Sequence, residues 1–406
     1  MGGTPTIKPT VDGVFLTHAH ADHSWNIAFL HKDLPIYCGE TCKLILKAAQ
    51  ESSTTGFGMD FHTYLEAFVD RRKRPEHERI FNTFRTGSKL KVNTIEVEPI
   101  HVDHSIPGAY GFIIQAPSGC IVYTGDFRLH GIRSDMTREF VERAKECKPD
   151  VLICEGTRIK GEPSLTEKEV RKKISEYIEK TKELVIANFP IRDIDRFNTF
   201  FQACKEKDRK LAIKTKQAYL LETLKEDKGL PIPDVHDESI LIYVHRAKWG
   251  IVTEDGVDVT KKEKDYYKWE RKYLSYNNFV TCKDISKKQD EVALYCDYFS
   301  LKELIDIKPQ EGSCFIYSLS EPHDEKQVID YKIMKNWLDH FNLPLVKAHA
   351  SGHASLEEIT EIISEIQPKK VIPIHTDDAE MFKAVVENVL STEVLIPEYG
   401  ECMEFT

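Results

Sequence analysis

The stretch Val14-Phe-Leu-Thr-His-Ala-His-Ala-Asp-His23 decides how the rest of the chain is read. A short apolar run, VFLT, ends in six positions that hold three imidazoles and a carboxylate: His18, His20, Asp22 and His23. Along a strand alternate side chains project to the same side, and a turn after it swings the last two back. Imidazole nitrogen and carboxylate oxygen are the donors that borderline cations such as Zn²⁺ prefer, and four from one loop exceed what a single tetrahedral ion takes from it. The spacing therefore predicts two metal ions. A chance surface cluster of histidines is the competing explanation, and the placement of Asp22 directly before His23 makes it the minor one.

Working outward, four further apolar runs end in metal-competent residues. TIEVEPI leads to His101, Asp103 and His104, CIVYTG to Asp126, VLIC to Glu155, and VIPI to His375. Ligands of α/β proteins bind at the carboxyl ends of strands, where loops converge on one sheet edge, so these ends are expected to meet at one site. The same alternation continues with LVIANF (184–189), LAIKT (211–215), ILIYVH (240–245), VALYC (292–296) and CFIYS (314–318). Amphipathic segments lie between them. In residues 167–182 Val170, Ile174, Tyr177 and Ile178 share one helical face, and in 356–366 Leu356, Ile359, Ile362, Ile363 and Ile366 do. The fold class is α/β with largely buried strands.

Composition bounds the function. With 406 residues, 41% hydrophobic and 30% charged, the chain is globular and longer than one ordinary core. No apolar run approaches the roughly 20 residues of a membrane helix, and MGGTPTIKPTVDG lacks the apolar core of a signal peptide, so a soluble, cytoplasmic protein is expected. The ten cysteines are scattered and read as reduced thiols, Cys38 and Cys42 as small buried hydrophobes. Fifty-six Lys and Arg against 66 Asp and Glu give a net charge of −10, which argues against nucleic-acid binding by bulk charge but leaves room for a local groove.

His18, His20, Asp22 and His23 match the HxHxDH signature of the metallo-β-lactamase superfamily, which the chain resembles. HSIPG (104–108), YTGDF (123–127) and IPIH (372–375) are similar to later motifs of that family, and the likeness implies His104, Asp126 and His375 as further ligands. Glu155 in CEGT and His353 in SGHAS (351–355) resemble two motifs of the β-CASP nucleases, and residues 188–213 resemble their strand, turn and Arg-bearing helix. The wording is nearest to ribonuclease J-like proteins.

The resemblance implies an αββα sandwich split by an inserted α/β β-CASP domain, with the metallo-β-lactamase parts at 1–169 and 349–406 and the insertion at 170–348. His18, His20 and His104 would hold one ion, Asp22, His23 and His375 the other, and Asp126 would bridge them. Zinc is the expected metal, with manganese or magnesium as alternatives. Asp22, Glu155 and His353 are the catalytic candidates, His353 as proton donor oriented by Glu155. Plainer roles compete: Glu155 as a cap of the turn EGT, and His353 as a flank of the helix near Leu356.

Ser351, Gly352, Arg192 and Arg196 are the substrate-binding candidates, with Arg209 and the aromatic stretch Tyr266, Tyr267, Trp269 and Tyr273 behind them. The charge run Arg71 to Arg74 reads as solvated. Partners implied are single-stranded RNA and, as an open option, further copies of the chain, with no membrane. Three features depart from the family. About a dozen residues precede VFLT, so opening strands of the first sheet are expected to be missing, as is the C-terminal extension of ribonuclease J. Residues 246–290 have no counterpart. Cleavage of RNA phosphodiesters is the leading function. Hydrolysis of a small substrate competes with it, as does an inactive RNA-binding subunit, and Glu155 with SGHAS favours nucleic acid.

Overall fold

The computed structural model describes residues 9–53, 63–65, 78–161, 165–245, 251–253, 256–258, 266–322, 324–400 and 402–403. Arg71 to Arg74 lie outside them. The chain folds as two compact units, one made of residues 1–50, 57–164 and 351–406 and the other of 51–56 and 165–350.

The first unit opens with a three-stranded parallel sheet, β1 (Val14–Leu16), β2 (Ile36–Gly39) and β3 (Phe81–Phe84), in that order. Then follow β4 (Leu90–Val92), β5 (Ile95–His101), β6 (Tyr110–Ala116), β7 (Gly119–Tyr123) and β8 (Val151–Glu155) of a larger sheet. Between β7 and β8 runs a helix over Ser134–Cys147. Alternation along β7 assigns the faces: Cys120 and Val122 join the core under that helix, while Tyr123 packs on the other side with Phe112. Phe15, Tyr37 and Phe84 of the small sheet meet Val97, Tyr110 and Phe112 of the large one, which makes the interior of a sandwich.

The second unit supplies β9 (Val185–Asn188), β10 (Lys210–Lys214), β11 (Ile240–Tyr243), a two-stranded antiparallel hairpin of β12 (Ile251–Thr253) and β13 (Gly256–Asp258), then β14 (Phe279–Val280), β15 (Val292–Tyr295), β16 (Cys314–Tyr317) and β17 (Leu345–Lys347). Seven of these form a parallel sheet in the order β14-β11-β10-β15-β9-β16-β17. Its central strands are buried throughout and almost wholly apolar because helices cover both faces. The helix Glu167–Lys180 starts at a capping box in which Thr166 accepts from the Glu169 N–H and Glu169 reaches back, which contributes about 1 kcal/mol.

This unit corrects the reading of its basic residues. Arg196 is 0% exposed: its guanidinium pairs with Glu167, also fully buried, at 2.8 Å and donates to Ser318 Oγ and the Ala348 carbonyl. A side chain so enclosed has no path to a substrate phosphate. Arg209 is likewise buried and donates to the carbonyls of Thr181 and Glu183. Arg192 lies half-buried in the turn before the helix Ile194–Glu206. Tyr266 and Tyr273 are core residues, the latter donating to Glu222 at 2.7 Å, and Trp269 packs edge-on against Tyr219; Tyr267 alone of the four is exposed.

The chain then returns to the first unit with β18 (Lys370–Ile374) and β19 (Glu393–Val394), which complete the order β19-β18-β8-β7-β6-β5-β4. The helices Leu356–Ile366 and Ala379–Leu390 join Ser134–Cys147 on its outer face, where Phe140, Ile359, Ile363 and Phe382 pack over Val122, Leu152 and Val371. Among the described residues no helix is long and apolar enough to cross a membrane.

Candidate metal centre

β7, β8 and β18 run parallel, and β5 shares their direction because β6 is antiparallel to both β5 and β7. Their carboxyl ends therefore lie on one edge. The Thr17 carbonyl accepts from the Tyr110 N–H at 3.1 Å, which ties the end of β1 to the same edge. His18 and His20 leave β1, Asp22 and His23 sit on the short helix Ala21–Ser24, His104 follows β5, Asp126 follows β7, Glu155 ends β8, and His375 follows β18. The sandwich thus brings together residues up to 353 positions apart.

His20 Nδ1 is 3.0 Å from His18 Nε2 and 3.0 Å from His104 Nε2. His104 gives its Nδ1–H to the Gly352 carbonyl at 2.6 Å, so its Nε2 carries a lone pair. His18 Nδ1 meets Thr17 Oγ1 at 3.0 Å, which turns its Nε2 inward. A single proton on His20 Nδ1 serves one neighbour only, and the remaining facing lone pairs suit a cation. On the other side, His23 Nε2 is buried with no hydrogen-bond partner, 3.1 Å from Asp126 Oδ2, and His375 Nε2 lies 3.1 Å from Asp22 Oδ2. Asp126, 3% exposed, reaches both sides, at 3.6 Å from His18, 3.8 Å from His104 and 3.7 Å from His375. Donor atoms of His18, His20 and His104, of His18, His23 and Asp126, and of Asp22, His23 and His375 each fall within 4.8 Å of one another. The donor set fits divalent metal.

Electrostatics favour the ligand forms. Burial, and then the neighbouring imidazoles, push His18 and His104 well below the ordinary histidine value, and burial brings His20 to about 4. The hydrogen bond from His375 holds Asp22 well below the usual carboxylate range. Burial alone would raise Asp126, but His23, His104, His353 and His18 outweigh it and keep the carboxylate ionised.

Beside this cluster His353 Nδ1 donates to Glu155 Oε2 at 2.9 Å. Burial disfavours its charge, yet the carboxylates of Glu155, Asp126 and Asp22 prevail and lift its pKa to about 9. Glu155 is 0% exposed and also accepts from the Phe127 N–H at 3.0 Å and from Thr157 Oγ1 at 2.7 Å. It is a hub rather than a turn cap.

Residues 4–165 match the model of the Beta-lactamase superfamily domain, and residues 345–397 match that of the Zn-dependent metallo-hydrolase RNA specificity domain. The chain carries a metallo-β-lactamase superfamily domain. Ribonuclease J of Mycoplasma pneumoniae is 24% identical over 384 residues, which cover 90% of this chain and 57% of that protein. Ribonuclease J of Thermus thermophilus is 23% identical over 410 residues, 96% of this chain and 63% of that protein. The chain thus spans less than two thirds of these curated relatives. A crystal structure of an Enterococcus faecalis protein of unknown function shares the fold, with a TM-score of 0.71 at 23% identity over 98% of this chain and 82% of that one.

The loops that carry the candidate ligands rest on contacts that the sequence does not announce. Gly352 approaches His104 and Ser105 so closely that a Cβ there would lie 2.6 Å from Ser105 Oγ. The Ser351 carbonyl accepts from Arg128 at 3.2 Å and from His130 Nε2 at 2.9 Å, while Ser351 Oγ accepts from the His353 N–H at 3.1 Å. Ser351 and Gly352, the expected substrate-binding pair, thus also hold His353 and His104. Arg128 is in turn paired with Asp103 at 3.0 Å, both buried, and His130 Nδ1 with Glu358 at 3.0 Å. His101 points elsewhere, its ring against Tyr110 at 4.0 Å.

Proposed function

We propose that this protein is a two-metal hydrolase that cleaves phosphodiester bonds of single-stranded RNA, in the manner the name ribonuclease J gives to its relatives. The observation that carries the reading is the convergence of His18, His20, Asp22, His23, His104, Asp126 and His375 at one sheet edge, with the Glu155–His353 pair 3.9 Å from Asp126. The first three-histidine set, His18, His20 and His104, would take one ion, Asp22, His23 and His375 the second, and Asp126 both. Nitrogen-rich donors favour zinc. Divalent ions at such a site supply Lewis acidity, polarising phosphoryl oxygens and making water a nucleophile near neutral pH.

The chain's own groups do the rest. Asp126 and Asp22 place negative charge where cations are held, and the buried imidazoles stay neutral and available. His353 keeps Nδ1–H on Glu155, whose carboxylate favours the protonated ring, and would give its Nε2–H to the departing ribose oxygen. Glu155 stabilises that imidazolium and fixes its orientation.

Zinc-loaded full-length chain incubated with 5′-monophosphorylated and 5′-triphosphorylated single-stranded RNA is expected to shorten at least one of them. Chelation should abolish the cleavage and re-addition of zinc restore it. His353→Ala is expected to bind metal normally and to lose about 10²–10⁴-fold in kcat, the range of general acid catalysis. Intact RNA of both kinds after long incubation with protein shown to hold metal would overturn the nuclease reading.

A further inference from the structure

We infer that Thr157 is a positioning residue that links Glu155 to His375 and fixes the ring nitrogen His375 presents to metal. The inference rests on the proposed ligand role of His375. Thr157 is two residues past the end of β8, and the loops after β8 and β18 are drawn together by a hydrogen bond from the Gly156 N–H to the Ile374 carbonyl at 3.0 Å. Gly156 permits that approach, since a Cβ would come within 2.7 Å of the Phe382 ring and 3.1 Å of Thr376 Cβ.

Thr157 Oγ1 then has three neighbours: Glu155 Oε2 at 2.7 Å, His375 Nδ1 at 2.8 Å and the His375 carbonyl at 3.1 Å. A hydroxyl owns one proton. The ionised, nearest acceptor takes it, so the hydroxyl donates to Glu155 and accepts the Nδ1–H of His375. With Nδ1–H held on Thr157, the Nε2 proton now given to Asp22 is the one His375 would yield to a metal ion, which would leave its ligating lone pair on Nε2, the nitrogen on the Asp22 side. His375 has a φ of +48°, a left-handed conformation that a non-glycine residue keeps only when its surroundings hold it, and the hydrogen bond of its ring to Thr157, with the Gly156–Ile374 hydrogen bond just before it, does so. Glu155 thereby holds His353 directly and His375 through one hydroxyl, so the proton donor and one metal ligand share a single anchor.

Thr157 is exposed, and its replacement leaves the core untouched. The test compares wild type, Thr157→Val and Thr157→Ser by zinc affinity in competition with a chromophoric chelator, alongside kcat on RNA. Thr157→Val, which keeps the shape and loses the hydroxyl, is expected to bind one ion about 10-fold or more weakly while the other is unaffected, the usual loss when a partner of a ligating histidine is removed. Thr157→Ser should restore the affinity. Equal zinc affinity in Thr157→Val and wild type would overturn the relay, as would a serine variant as weak as the valine one. Wild-type protein that binds no zinc would instead overturn the ligand assignment on which the relay rests.

Discussion

Asp126→Asn is expected to lower the metal content of the proposed two-ion centre to one ion per chain or none and to reduce the proposed RNA cleavage by roughly 10³-fold. The carboxylate is 3% exposed and lies within 4 Å of His18, His23, His104 and His375, so it is the group that both sets of imidazoles share. An amide keeps the volume but removes the negative charge and turns an N–H donor toward one side, where it opposes a cation. Losing Lewis-acid stabilisation of about 4 kcal/mol at the transition state corresponds to about a thousandfold in rate. Elemental analysis of repeated preparations and single-turnover cleavage would check the two halves separately. Unchanged metal content with unchanged rate would remove Asp126 from the centre.

Arg196→Ala is expected to destabilise the second unit by about 3–5 kcal/mol, because it leaves the Glu167 carboxylate charged and buried without its cation. The double replacement Arg196→Met with Glu167→Leu should recover most of that loss or exceed the wild type, since the ion pair is already imperfect: Arg196 Nε is buried without a hydrogen-bond partner. The two compact units need not unfold together, so the fitting readout is urea-dependent hydrogen exchange in β9 and β16, which lie over these side chains' own unit. A single variant as stable as wild type but with a raised KM for RNA would return Arg196 to the substrate-binding role that its place in a nuclease-like segment first suggested.

Arg196 marks where sequence reading stops. An arginine on an amphipathic helix looks the same whether it faces solvent or meets a glutamate 29 residues earlier, and burial decides between them. Ser351 and Gly352 show a related limit. A small polar segment beside a motif histidine suits a phosphate through its hydroxyl and N–H groups, but sequence gives no sign that its carbonyls also bind Arg128, His130 and His104, across 221 to 248 residues. Thr157 left one trace, its place two residues after Glu155, which reads equally well as the end of a turn.

The metal-competent residues were legible because their chemistry is local: imidazoles and carboxylates at the ends of apolar runs have few other reasons to recur in that position. Patterning likewise specified the α/β class, since strand and helix periods depend on near neighbours alone. Tertiary structure decided which of those strand ends share an edge, through the antiparallel turn of β5 and β6 and the parallel pairing of β7, β8 and β18. It also decided which polar groups hold the ligands in place. Those choices depend on pairing and burial between segments hundreds of residues apart, and no local pattern encodes a partner at that distance.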